Sequence, residues 1–191
     1  MMKDLIVKNR SYRRFYQEDS ITRQQLEKWV DLARLSASGA NLQALKYILS
    51  YEPERNEKIF SQLRWAGYLK EWDGPEEGEK PSAYIIVLSD KQIRATAFGV
   101  DQGIACQSIL LGAVEDGYGG CLLGSVEGNQ LRQIFQIPDQ FEIPLVIALG
   151  KPKEKIVLEE IDVSGDIRYY RDEKQVHHVP KRRLGDIIVD L

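Results

Sequence analysis

Two short basic stretches stand out by residue type and spacing: Arg10-Ser11-Tyr12-Arg13 near the start of the chain and Pro180-Lys181-Arg182-Arg183-Leu184 near its end. The first sets two guanidiniums and a hydroxyl in one tetrapeptide, a combination suited to charge-assisted, bidentate contacts with phosphate. The protein as a whole is acidic, with a net charge of -3 and a pI of about 5.6. Such a chain has no general affinity for nucleic acid, so cations gathered near its two ends point to a local anion. The phosphate of a bound cofactor fits best, held between two halves of one clamp. Taken alone, a basic tetrapeptide reads more often as a solvated face, and the context has to raise it above that.

Other candidate groups are weaker. His177 and His178 suggest a metal or a general base, yet adjacent side chains diverge in either a strand or a helix, which favours plain packing. Glu76, Glu77 and Glu79 read as a solvated loop, and Arg14 and Arg182 as solvent-facing charges. Cys106 and Cys121 lie far apart with no His at ligand spacing, so neither a disulfide framework nor a zinc site is implied and both read as small core residues.

The elements that position these groups follow from composition and periodicity. With 191 residues, 43% of them hydrophobic, the chain suits a single domain over 1–191 with one well-buried core. Charged residues make up 29% without long runs of one sign, which argues against a disordered tail or a nucleic-acid arm. No stretch approaches the roughly 18 apolar residues of a membrane span, and the start lacks a signal-peptide pattern. A cytoplasmic protein is expected.

Thr22 and Gln25 form a capping box that opens a helix over 22–35, with Leu26, Trp29, Val30 and Ala33 at helical spacing. A loop of small and polar residues follows at 36–41, then a strand over 45–51 and a helix over 54–63. Trp65, Tyr68 and Trp72 lead into a Gly- and Pro-containing loop at 73–81. The continuous apolar runs 83–88 and 145–150 predict strands covered on both faces, the second stopped by Lys151-Pro152. Between them, 98–115 predicts a helix buried nearly all round, closed by a left-handed cap at Asp116-Gly117. A tightly packed strand over 119–124 and a helix over 127–134 complete the core. Beyond Lys155 the core signal fades, and 160–191 reads as an extension reaching over a surface.

In this order the motifs resemble those of the nitroreductase family of flavin oxidoreductases along nearly the whole chain. The matching segments are Arg10-Ser11-Tyr12-Arg13-Arg14-Phe15, Ser38-Gly39-Ala40-Asn41-Leu42-Gln43, the helix with Asp101, Gly103 and Gln107, Gly117-Tyr118-Gly119-Gly120, Leu123-Gly124, Leu149-Gly150-Lys151-Pro152 and Lys181-Arg182-Arg183-Leu184. Two departures, Ala37 for the family's usual Pro and Gln43-Ala44-Leu45 for Gln-Pro-Trp, concern the shape of the substrate pocket.

The resemblance implies an α+β nitroreductase-like fold with a central, mainly antiparallel sheet flanked by helices. It also implies an intertwined homodimer with FMN in each interface cleft and a C-terminal extension exchanged with the partner subunit. Arg10, Ser11 and Arg13 would hold phosphate and ribityl oxygens, and Lys181 and Arg183 would close on the phosphate from the other side. Ser38, Asn41 and Gln43 would approach the flavin from the partner or line the cleft, while Leu123, Gly124 and Ser125 would run along the isoalloxazine. Trp65 and Tyr68, with Trp72, fall where the family places a pocket lid over substrate or nicotinamide. Core packing is the competing reading for them.

The activity implied is ping-pong transfer of hydride from NAD(P)H through FMN to an acceptor such as a nitroaromatic or a quinone. Stacked rings need orientation more than an acid or base, so no catalytic side chain is assigned. The alternative is a flavin-binding storage or redox-sensing module without turnover.

Overall fold

The computed structural model describes residues 1–96 and 98–189. The two continuous apolar runs form the middle of a five-stranded antiparallel sheet. Strand β3 (Ala83–Asp90) pairs with β5 (Phe141–Pro152) on one side, with Ile86 opposite Val146, and with β2 (Leu45–Ser50) on the other, with Tyr47 opposite Val87. The short β1 (Phe15–Tyr16) and β4 (Gly119–Leu123) also pair with β5, leaving β2 at an edge. All eight residues of β3 are buried, as expected of a strand covered on both faces.

Strand alternation divides the core in two. Ala83, Ile85, Val87, Ile147 and Leu149 face α2 (Arg23–Leu35) and α4 (Gly99–Glu115), meeting Leu26, Trp29, Ala33, Cys106, Ile109 and Ala113. Tyr84, Ile86, Leu88, Val146 and Ala148 face the other way, onto Ile59 of α3 (Pro53–Phe60), Leu131 of α5 (Gly128–Phe135), Leu63 and Trp65. Both capping-box bonds of α2 form between Thr22 and Gln25. At the far end of α4, Gly117 adopts φ +81 and the Tyr118 N–H donates to Ala113 O at 2.8 Å, the left-handed cap expected there.

Several sequence expectations are corrected. Lys151-Pro152 closes the second apolar strand from within it: both residues still pair with β1, and the strand ends at Pro152, where the missing N–H is tolerated. Helix α4 is not buried all round: Val100, Gly103 and Gln107 form an exposed stripe along its first half. A short exposed helix, α1 (Met2–Lys8), precedes the basic segment.

The extension folds back on its own chain as a small second sheet. There β8 (His177–Arg182) runs parallel to β6 (Ile156–Ile161) and antiparallel to β7 (Tyr170–Arg171). Among the described residues no helix is long and apolar enough to cross a membrane.

Candidate functional site

The basic segment lies flat against the sheet because glycines make room for it. Ser11 bridges Gly120, and the Tyr12 N–H donates to Gly120 O at 3.0 Å. A Cβ on Gly120 would sit 2.4 Å from Ala148 O, and one on Gly150 would sit 2.7 Å from the ring of the fully buried Phe15. Neither position accepts a side chain without moving the segment. Phe15 anchors one end of the run. At the other, an Arg10 NH2 donates to Ile6 O at 2.8 Å and Tyr12 Oη to Lys8 O at 2.9 Å, closing the end of α1. The Ser11 side of the segment stays exposed.

Arg13 is the buried member of the run, at 8% exposure. Its guanidinium lies over the Tyr169 ring at 4.6 Å, donates to Ser11 O at 3.2 Å and meets His177 Nε2 at 3.5 Å. Its backbone N–H donates to Glu154 Oε1 at 3.2 Å, and Arg171 donates to the same oxygen at 3.0 Å. The Glu154 side chain is 1% exposed; burial pushes its carboxyl up, while Arg171 and Arg13 pull it back. The Glu154 carboxylate is thus paired with the Arg171 guanidinium, while Arg13 reaches it only through its backbone N–H.

His177 adds no charge. Burial, then Arg13, Arg171 and His178, push it down to about 4. The Arg13 guanidinium meets the Ser11 carbonyl, the neutral His177 and the Tyr169 ring but, among the described residues, no carboxylate, so its positive charge stays uncompensated beside the exposed Ser11. Among the described residues, Arg10 Nε and Arg13 Nε are buried without hydrogen-bond partners, as are Glu154 Oε2, Arg171 Nε and His177 Nδ1. A surplus cation with unused donors next to the exposed Ser11 is what an oxyanion completes.

The neutral His177 has a consequence for stability. Unfolded, it takes up a proton below its ordinary value of 6.5, whereas folded it does so only near 4. Stability therefore falls as pH drops through that window. Melting temperatures measured from pH 6.5 to 4 are expected to fall less steeply for His177→Phe than for the parent chain. His178 works the other way: Glu159 Oε1 at 2.5 Å and Asp172 Oδ2 at 3.4 Å raise its pKa, so its contribution is lost as pH rises through that raised value.

The neighbouring Arg14 is not solvent-facing. It makes a bidentate pair with Glu79, which Lys153 also approaches at 3.0 Å, and these partners, Arg14 foremost, hold the Glu79 carboxyl down at about 2. Glu79 therefore pins the 73–81 loop to the sheet; it is not part of a solvated run.

The Ser38 loop is a separate construction. Ala40, Asn41 and Gln43 all have positive φ, between 51 and 54. That conformation is held by two bonds: the Gly39 N–H donates to the buried Asp101 Oδ1 at 2.7 Å, and the Gln43 N–H to Ser38 Oγ at 3.1 Å. Asn41 and the Gln43 side chain face outward. Ser38 and Gln43 border a cavity of about 510 Å³ between α2, α4 and β2, lined also by Val30, Leu45, Tyr47 and Ala105. No hydrogen bond or ion pair among the described residues joins this loop to Arg10, Ser11 or Arg13.

Gly124 and Ser125, just past β4, are exposed, and a Cβ on Gly124 would meet nothing within 4 Å. Their backbone is open to a ligand's face. Leu123 differs: strand alternation turns its side chain into the core, so only its backbone can border a ring.

Trp65 is likewise a core residue, 8% exposed and packed between Phe60 and Trp72, not part of a substrate wall. Tyr68 is half-exposed and rests on Tyr169 at 5.0 Å. Lys181 and Arg183 lie near the far end of β8, about 13 Å or more along the strand from His177 at ordinary strand rise. Arg183 pairs there with Glu160 at 3.4 Å, so within one chain the two basic segments do not close on each other. Both cysteines are buried and free, with Cys106 pushed up to about 12 by burial, which removes it as a nucleophile.

Glu154, Tyr169, Arg171 and Asp101 are the residues that sequence reasoning gave no role at the site. Asp101 alone carried a signal, as an acid in the first turn of a largely buried helix that had to find a partner.

The likeness to known proteins agrees with this geometry. The profile of the Nitroreductase family matches residues 6–151. Among curated proteins, the "Putative NAD(P)H nitroreductase MhqN" of Bacillus subtilis (strain 168) is 24% identical over 189 residues, covering 78% of this chain and 87% of that protein. Among solved structures, a nitroreductase family protein from Clostridium novyi NT superposes with a TM-score of 0.65 at 22% identity, covering 80% of this chain and 87% of that one. An FMN-dependent nitroreductase from Clostridium difficile R20291 gives 0.63 at 21% identity, covering 79% and 87%. With a basic segment packed on its sheet and three quarters of its length inside the matched region, the chain belongs to the nitroreductase family of oxidoreductases.

Proposed function

We propose that the protein is an FMN-dependent NAD(P)H oxidoreductase whose acceptors are nitroaromatics or quinones. The observation that carries this reading is the surplus positive charge at Arg13, beside the exposed Ser11 and the unpartnered Nε atoms of Arg10 and Arg13. These groups fit the phosphate of FMN, and the Clostridium difficile relative is itself described as FMN-dependent. FMN, when bound, supplies the hydride-accepting and electron-donating chemistry that no side chain here provides.

The chain's own contribution is to bind and orient. Arg10, Ser11 and Arg13 would hold the phosphate end, and the open backbone at Gly124 and Ser125 would border the ring system. Tyr68, half-exposed, is the aromatic available to an acceptor. His177 is held neutral and tucked against Arg13, so it neither competes for the anion's charge nor serves as a ready base.

What one chain leaves apart supports completion of the site by a second copy. The Ser38–Gln43 loop, with the outward Asn41, would reach the flavin of the partner, which explains why it is pre-shaped yet unconnected to the basic segment. Strand β2 offers a free edge beside the apolar cavity, and Leu184, Ile187, Ile188 and Val189 form an exposed apolar tail. Exchange of the C-terminal segment between two chains would cover both and give Lys181 and Arg183 a route to the phosphate. The free buried thiols suit a reducing, cytoplasmic setting.

An anaerobic titration tests this function. Adding NADH or NADPH to the FMN-loaded protein is expected to bleach the flavin, and a quinone or nitroaromatic to restore its colour. Flavin that stays yellow under excess of both donors would leave only a flavin-binding module. In the same preparation, a light-scattering mass of one chain with tight FMN would refute the shared cleft.

A further inference from the structure

The ring of Tyr169 is a surface shared by two parts of the site that the sequence separates widely. Arg13 lies over it at 4.6 Å, Tyr68 packs on it at 5.0 Å and His177 at 5.2 Å. Two residues on, Arg171 repeats the arrangement. Its guanidinium covers Trp72 at 4.2 Å while pairing with Glu154, which also accepts the Arg13 N–H. The leading edge of the C-terminal sheet thereby grips the buried phosphate-side arginine and both ends of the aromatic segment 68–72. Tyr169 is half-buried, and its hydroxyl has no hydrogen bond among the described residues, so what it offers its neighbours is the ring face.

We propose that Tyr169 is a positioning residue that fixes the Arg13 guanidinium and the Tyr68 ring relative to each other, coupling the phosphate end of the cofactor site to the aromatic wall facing the acceptor. This rests on the FMN reading above. A guanidinium backed by an aromatic face loses less freedom when it meets an anion, and removing the face releases Arg13 and Tyr68 together. Occupancy at one end then alters affinity at the other, as linkage requires.

The test compares Tyr169→Leu and Tyr169→Phe as apo-proteins titrated with FMN and with riboflavin, which lacks the phosphate. Tyr169→Leu is expected to weaken FMN roughly 3- to 30-fold, the range for a lost cation–π contact, with little change for riboflavin. Tyr169→Phe should match the parent chain for both ligands. After FMN loading at saturation, Tyr169→Leu should raise KM for a quinone acceptor more than it lowers kcat. Unchanged FMN affinity in Tyr169→Leu, or equal losses for FMN and riboflavin, would overturn the proposal.

If Tyr169→Leu does not fold, Tyr68→Ser at its half-exposed position serves instead. It should weaken FMN about 2- to 10-fold through loss of the tilted aromatic contact that backs Tyr169, with riboflavin unaffected, and unchanged FMN binding would again overturn the proposal. A parent chain that binds no FMN at all would refute the flavin reading itself, a result distinct from any of these.

Discussion

Replacing Glu154 by alanine is expected to lower folding stability by about 3 to 5 kcal/mol, the cost of breaking a buried ion pair from one side. The Glu154 side chain is 1% exposed and that of Arg171 10%, so solvent screens little of their interaction. Without the carboxylate, the guanidiniums of Arg13 and Arg171 face each other across a neutral His177 with no anion between them. The Arg13 N–H would lose its acceptor as well. Urea unfolding reads the effect through the midpoint at constant slope. The double variant Glu154→Ala, Arg171→Ala should lose clearly less than the sum of the two singles, because the second change removes one of the stranded charges. A Glu154→Ala loss under about 1 kcal/mol would mean that the pair behaves as a surface bridge and that the cluster is not what docks the C-terminal sheet.

That cluster also marks where sequence reading stops. The central strands were legible because 83–88 and 145–150 are apolar without alternation, which only a strand covered on both faces requires. The start of α2 and the end of α4 were legible because Thr22, Gln25 and Gly117 act on their nearest neighbours. Roles set by distant pairing were not. Arg13 and Arg14 are adjacent and chemically alike, yet one turns to Tyr169 and the other to Glu79, a choice made by how the segment pairs with β5.

Trp65 and Tyr68 are three residues apart, and only the packing of Phe60 and Trp72 decides that the first is core and the second wall. The exposed stripe on α4 looks apolar enough in sequence to be buried. Its burial in one chain fails because nothing among the described residues of that chain covers Val100. Of the basic positions, Arg13 meets the Ser11 carbonyl and Arg10 turns to Ile6 O, while Lys181 and Arg183 do not reach them within one chain.

The second large effect concerns Arg10. Its Nε is buried without a partner and one NH2 is committed to Ile6 O, so the guanidinium is fixed in place with donor capacity to spare. Losing a charged hydrogen bond to phosphate costs about 1.5 to 3 kcal/mol, or roughly 10- to 150-fold in affinity. Arg10 is only partly buried and its removal touches little beyond the end of α1, so the variant should fold like the parent. Arg183→Ala probes the other half of the clamp. Where Arg183 stays with Glu160 its loss should be small, and a loss as large as that of Arg10→Ala would show that C-terminal exchange carries it to the phosphate.

The claim on which the rest depends is that the basic segment holds the phosphate of a flavin. Fluorescence titration of the apo-protein and of Arg10→Ala with FMN and riboflavin side by side measures it most directly. The expected result is that the parent chain binds FMN at least about tenfold more tightly than riboflavin, and that Arg10→Ala removes most of this difference while leaving riboflavin unchanged. Equal affinities for the two flavins in the parent chain, or equal losses of both in the variant, would contradict it.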